Sequence, residues 1–134
     1  MPTVAQIEQA LFQLAPKDLA FDWDNVGHLE GSPDQEVQRV LVALDVTEAV
    51  AAEAVAVGAD LIVAHHPLMN CVWHKVQHVT TCDAQGRTIT TLLKNGVSAI
   101  CMHTNLDAAD GGVNDCLAHA LGLSLSLIHL SEPT

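Results

Sequence analysis

Leu61-Ile62-Val63-Ala64-His65-His66-Pro67 is the stretch on which the reading of this chain turns. Four apolar residues bounded by polar ones suit a buried strand, and Pro67 ends any ladder because it has no amide donor. Two more segments read the same way, the run Val40 to Leu44 closed by Asp45 and the run Val97 to Met102 closed by His103. Helical segments lie between and after them. Thr47 caps a helix with Glu48 in its first turn and Gly58 at its end. Thr88 to Lys94 is closed by Asn95-Gly96, and a helix from about Val113 to Leu121 is closed by Gly122. Upstream, Val4, Ile7, Leu11 and Leu14 fall at helical spacing behind a Thr3 cap, and Pro16 stops that helix.

Strand alternating with helix predicts an α/β fold with a parallel or mostly parallel sheet, helices on its faces and right-handed crossovers. Residues 1–123 are expected to form one metal-binding α/β domain, and 124–134 form a tail of doubtful origin: a native strand and turn, or the translation of a transposon end from library construction. Phe21 to Gly27 is expected to be a turn in which Asp24 and Asn25 fix Trp23 in the core. Residues 68–85 read as a long irregular connection of the kind that lines a site.

Composition narrows the function. The chain has 134 residues, 49% of them apolar, which is enough for a packed core. Five Lys and Arg stand against 16 Asp and Glu, a formal charge of -11, so few phosphates can be neutralised. No nucleic-acid partner and no membrane partner are expected. Cys71, Cys82, Cys101 and Cys116 include no C-x-x-C pair, which argues against a disulfide framework or a zinc knuckle and for reduced thiols in the cytoplasm.

Ligands of open α/β sheets bind beyond the carboxyl ends of the strands. Here those ends carry Asp45, His65-His66 and His103. Adjacent side chains of a strand point to opposite faces, so both imidazoles serve one site only where the strand is ending, a condition Pro67 favours. Asp107, four residues beyond His103 in what reads as a loop, can reach the same crevice. Imidazole with carboxylate selects Zn, Fe, Mn, Co or Ni over Ca and Mg. His65, His66, His103 and Asp107 are therefore candidate metal ligands, and His103 and Asp45 are candidates to move a proton. Other roles stay open at this level: His103 as a hydrogen-bonded strand end, Asp107 as a turn residue. His28, His119 and His129 read as surface or cap residues, although His28 stands close enough to the turn to approach the site, and His74 and His78 as solvated loop residues.

Five segments in order, Trp23-Asp24-Asn25-Val26-Gly27, Leu44-Asp45-Val46-Thr47, Ala64-His65-His66-Pro67-Leu68, His103-Thr104-Asn105-Leu106-Asp107 and Gly111-Gly112-Val113-Asn114-Asp115, carry a resemblance. The chain is similar over about residues 1–123 to the Ngg-one-interacting-factor-three-like family, whose members are described as dinuclear-metal-centre hexameric proteins or GTP cyclohydrolase I type 2 homologues. The resemblance implies two divalent metal ions held by His65, His66 and Asp107, with His103 near them, and a toroidal hexamer. It also implies a His-x-x-x-Glu pair in a C-terminal half, which is not found here, so the chain resembles the N-terminal half of the family fold. A two-metal hydrolase acting on a small molecule, by opening a purine ring or cutting a phosphoester, is the first functional expectation. A metal-stabilised scaffold or regulatory interaction protein without turnover is the alternative.

Overall fold

A computed structural model describes residues 1–69 and 78–123. Cys71, His74, His129 and the tail 124–134 lie outside the described residues. Helix α1 spans Val4–Leu14. Its first turn is a capping box: the Thr3 hydroxyl accepts from the Gln6 amide at 3.3 Å, and the Gln6 side chain accepts from the Thr3 amide at 3.0 Å. Strands β1 (Gly27–Glu30) and β2 (Val40–Ala43) follow, then helix α2 (Glu48–Ala56), strand β3 (Leu61–Ala64), helix α3 (Ala84–Lys94), strand β4 (Ser98–Cys101) and helices α4 (Thr104–Ala108) and α5 (Val113–Ala120). Thr47 caps α2 through the Val50 amide, and Asp83 caps α3 through the Gly86 amide. None of the described helices is long and apolar enough to cross a membrane.

The strands form one sheet in the order β1-β4-β3-β2. β2, β3 and β4 are parallel, with Val40, Leu61 and Ser98 level at one end and Ala43, Ala64 and Cys101 level at the other. Alternation along β3 splits the core between two faces. Ile62 and Ala64, with Ala99 and Cys101 of β4, pack beneath α2 and α3 against Ala51, Ala54, Ile89 and Leu92. Leu61 of β3 and Ile100 of β4 point the other way, to Val4, Ile7 and Leu11 of α1. The α/β class and mostly parallel sheet match the expectation from the sequence.

Four local expectations need correction. First, the sheet is mixed: β1 lies antiparallel to β4, with a bulge between His28 and Glu30. Nothing in Gly27-His28-Leu29-Glu30 shows apolar alternation, so the strand was hidden. It is bracketed instead by Gly27 and Gly31 at φ +97° and +104°. A Cβ at Gly31 would come within 2.6 Å of the Ser98 Cβ, so β1 leaves the sheet by a path that only glycine permits. Second, the run from Val40 is not buried. It is a sheet edge, and the side chains of Val42 and Leu44 are 76% and 62% exposed. Third, Trp23 is not in the core. It is 65% exposed and stacks on Phe21 at 5.6 Å between ring centroids. Fourth, Asp107 lies in the single helical turn α4 and not in a loop. His28 is half-buried on β1, whereas His78 and His119 are exposed as expected.

Candidate metal centre

The three parallel strands deliver their carboxyl ends to one corner. Where β3 ends, the amides of His65 and His66 both donate to the single Leu44 carbonyl, at 3.2 and 3.0 Å. Two successive donors on one acceptor require the chain to turn sharply, and the alternation of side chains is lost there. The two imidazoles consequently splay to the same side, with ring centroids 5.0 Å apart. Where β4 ends, the Met102 amide donates to the Ala64 carbonyl at 2.9 Å, and His103 follows as the N-cap of α4. The His103 ring stands 5.2 Å from that of His65 and 5.5 Å from that of His66.

Asp107 arrives by helical periodicity. Its amide donates to the His103 carbonyl at 3.0 Å, so it sits one turn above His103 on the same side of α4. Its Oδ1 lies 3.3 Å from His65 Nε2. Asn105, fully buried, holds the turn in place: its Oδ1 accepts from the His103 amide at 3.0 Å and its Nδ2 donates to the Ala15 carbonyl at 2.9 Å.

Each imidazole is held from behind through Nδ1. His65 Nδ1 lies 2.7 Å from the Met102 carbonyl oxygen. His66 Nδ1 lies 2.6 Å from Asp45 Oδ1. His103 Nδ1 lies 3.0 and 3.1 Å from the two oxygens of Asp24. A carbonyl or carboxylate oxygen only accepts, so each Nδ1 carries the proton and each Nε2 of a neutral ring presents a lone pair. One ring nitrogen from each of the three residues lies within 4.8 Å of the others. A lone pair on His65 Nε2 facing the Asp107 carboxylate at 3.3 Å is repulsive unless a proton or a cation sits between them. The three imidazole nitrogens fit, by chemistry and spacing, a divalent ion such as Zn, Fe, Mn, Co or Ni, and the Asp107 carboxylate adjoins them at His65.

Of the residues named from the sequence, the structure brings His65, His66 and His103 together and sets Asp107 against His65. It places Asp45 behind His66, on the Nδ1 side, where both side chains are about half exposed. Asp24, read from the sequence as a turn former, has a side chain only 2% exposed, and it serves the site as a partner of His103. Burial opposes ionisation of Asp24, but hydrogen bonds from the Thr104 hydroxyl, the His103 ring and the Thr104 and Asn25 amides outweigh it and hold the carboxyl below its ordinary value. Only its membership in a Trp-Asp-Asn segment could have singled it out. Cys101, two residues before His103, is buried in the core beneath α2 and α3, and burial pushes its thiol up to about 11.

The wall beside His65 is apolar. A cavity of about 190 Å³ opens there between α1 and β2, lined by Leu11, Leu14, Val42, Val63 and Leu106. It exists because α1 covers the β4 side of its face and leaves the β2 edge uncovered.

The chain is similar to known proteins over most of its length. A Streptomyces coelicolor protein named GTP cyclohydrolase 1 type 2 homolog is 44% identical over 137 aligned residues, covering 100% of this chain and 46% of that protein. A Bacillus subtilis protein of the same name is 43% identical over 119 residues, covering 89% of this chain and 31% of its own length. The chain thus spans less than half the length of these relatives. Among solved structures, a Bacillus cereus protein related to NIF3 superposes with a TM-score of 0.82 at 41% identity, over 92% of this chain and 33% of that one. Reduced HcgD from Methanocaldococcus jannaschii gives 0.81 at 30% identity, over 92% of this chain and 48% of that one. The family model Duf34/NIF3 (NGG1p interacting factor 3) matches residues 2–130, and the chain belongs to that family.

Proposed function

We propose that this chain is the metal-holding part of a metal-dependent hydrolase. The observation that carries the reading is the facing of His65 Nε2 and the Asp107 carboxylate at 3.3 Å, with one ring nitrogen each of His65, His66 and His103 gathered within 4.8 Å of one another. His65, His66, His103 and Asp107 would hold the metal, and His103 is read here as a ligand and not as a proton carrier. Two ions are proposed, in line with the family resemblance. They need more donors than these four residues offer, and the portion of the relatives that this chain does not span is where a His-x-x-x-Glu pair would supply them. The chemistry that bound divalent ions contribute is Lewis acidity toward the bond under attack and toward water.

The chain's own residues do the rest. The Met102 carbonyl, Asp45 and Asp24 orient the three rings and keep their protons on Nδ1. The apolar side chains of Leu11, Leu14 and Val63 border His65 on one side and offer an apolar surface to a substrate there. Asp45, half exposed behind His66, is placed to exchange protons with solvent at that ring's Nδ1 and has no direct line to the Nε2 side. The name of the relatives suggests GTP as substrate, with a ring-opening hydrolysis, and the same site would suit a phosphoester. A cytoplasmic homo-oligomer, hexameric by resemblance, belongs to the same proposal.

The test uses the full-length protein with GTP, after loading with zinc, iron or manganese and after chelation. Turnover that requires metal and is lost in His65→Ala supports the hydrolase. Metal retained without turnover on GTP or a phosphoester turns the assignment to a scaffold.

A further inference from the structure

We propose that Asp24 is the positioning residue of the metal centre: its buried carboxylate fixes the His103 ring in one tautomer and one orientation before any metal arrives. The inference deepens the metal-centre reading and rests on it. Asp45 and Asp24 each stand behind an imidazole, but they are not equivalent. Asp45 meets His66 at 2.6 Å with both side chains about half exposed, so water can replace either partner. The Asp24 side chain is 2% exposed and is hydrogen-bonded by Asn25, His103 and Thr104.

Those bonds lock the carboxylate. Oδ2 accepts from the Thr104 amide at 3.0 Å and from the Thr104 hydroxyl at 2.5 Å, and Oδ1 accepts from the Asn25 amide at 2.9 Å. The Thr104 hydroxyl in turn accepts from the Phe21 amide at 3.0 Å, which ties the 21–25 turn to the first turn of α4. With its other lone pairs occupied, the carboxylate offers both oxygens to His103 Nδ1 at 3.0 and 3.1 Å. An acceptor-only group fixed on one side of the ring requires Nδ1–H there. Nε2 is then left with its lone pair on the opposite side of the ring, which packs against the rings of His65 and His66.

Asp24→Asn keeps the size and removes the certainty. An amide meeting the Thr104 donors must turn its oxygen to them, and its NH2 group then faces His103 and favours a lone pair on Nδ1. The proton moves to Nε2, where a metal would bind. Loss of such a partner behind a metal-ligating histidine lowers affinity by about 10- to 100-fold.

The experiment has two readouts on the same 134-residue chain. Nitrogen-15 NMR of the ring nitrogens, in metal-free protein at pH 8, reports the tautomer of His103, assigned with His103→Ala. Zinc titration against a competing chelator reports affinity. The expected result is Nδ1–H in the wild type, a shift toward Nε2–H in Asp24→Asn, and zinc affinity at least tenfold lower in that variant. Thr104→Val gives a smaller loss and Thr104→Ser restores wild-type behaviour. If Asp24→Asn does not fold by circular dichroism, the Thr104 pair decides by the same measurements. An Nε2–H tautomer in the wild type overturns the proposal, as does unchanged tautomer and affinity in the folded variants. Zinc affinity unchanged in His103→Ala sinks the metal-centre reading itself, while the tautomer shift still judges the role of Asp24.

Discussion

Glu30 should make this protein less stable as the pH rises from 5 to 8. Its side chain is buried on β1, the residue is 7% exposed, and neither carboxylate oxygen has a hydrogen-bond partner among the described residues. Burial without a partner penalises the ionised form and pushes the pKa from 4.5 to about 7. The folded state therefore holds the Glu30 proton over a pH range in which the unfolded chain has already released it. Stability from this group is complete below about pH 4.5, falls as the pH climbs, and is exhausted above about pH 7. At 1.36 kcal/mol per pH unit, the interval amounts to roughly 3 kcal/mol. Glu30→Gln retains the volume and polarity of the protonated acid and cannot ionise. It should match the wild type near pH 5 and exceed it by about 2–3 kcal/mol at pH 8. Urea unfolding by circular dichroism, with chelator present and at pH 5.0, 6.5 and 8.0, measures both proteins. The difference between them isolates Glu30, because every other titrating group is common to the pair. A difference that stays constant within about 0.5 kcal/mol across that range would refute the reasoning.

Other consequences can be measured in the same way. Gly31→Ala places a Cβ 2.1 Å from the Ser98 hydroxyl at a φ of +104°, and should cost about 2–4 kcal/mol in urea unfolding. Asn105→Ala removes the hydrogen bonds to the His103 amide and the Ala15 carbonyl, and should cost about 2–4 kcal/mol and also weaken zinc binding, since α4 loses its anchor to the end of α1. Thr3→Ala breaks the capping box and should cost about 1 kcal/mol with zinc affinity unchanged, because α1 contributes no ligand.

Much of the frame was legible because its signals are local. Apolar runs closed by Asp45, His65 and His103 marked the three parallel strands, and the Thr3 and Thr47 caps marked two helix starts within a residue. The His103–Asp107 pairing was visible as a spacing of four, although the turn carrying it was read as a loop. What was not legible depends on distant neighbours. Composition alone does not tell an edge strand from a central one, so the exposure of Val42 was missed. β1 pairs with a strand some seventy positions away and shows no alternation of its own. Asp24 looks like any turn aspartate until His103, 79 positions on, is folded against it. The expected turn that buries Trp23 is inverted: Trp23 is exposed, and the neighbouring Asp24 is the buried side chain.

The most direct test of the metal centre is the zinc content of the purified chain after loading and exhaustive dialysis, compared with His65→Ala and His103→Ala. The geometry predicts bound zinc in the wild type and at least a tenfold loss of affinity in each variant, with both still folded. Equal zinc in all three proteins, or none in the wild type, would contradict it.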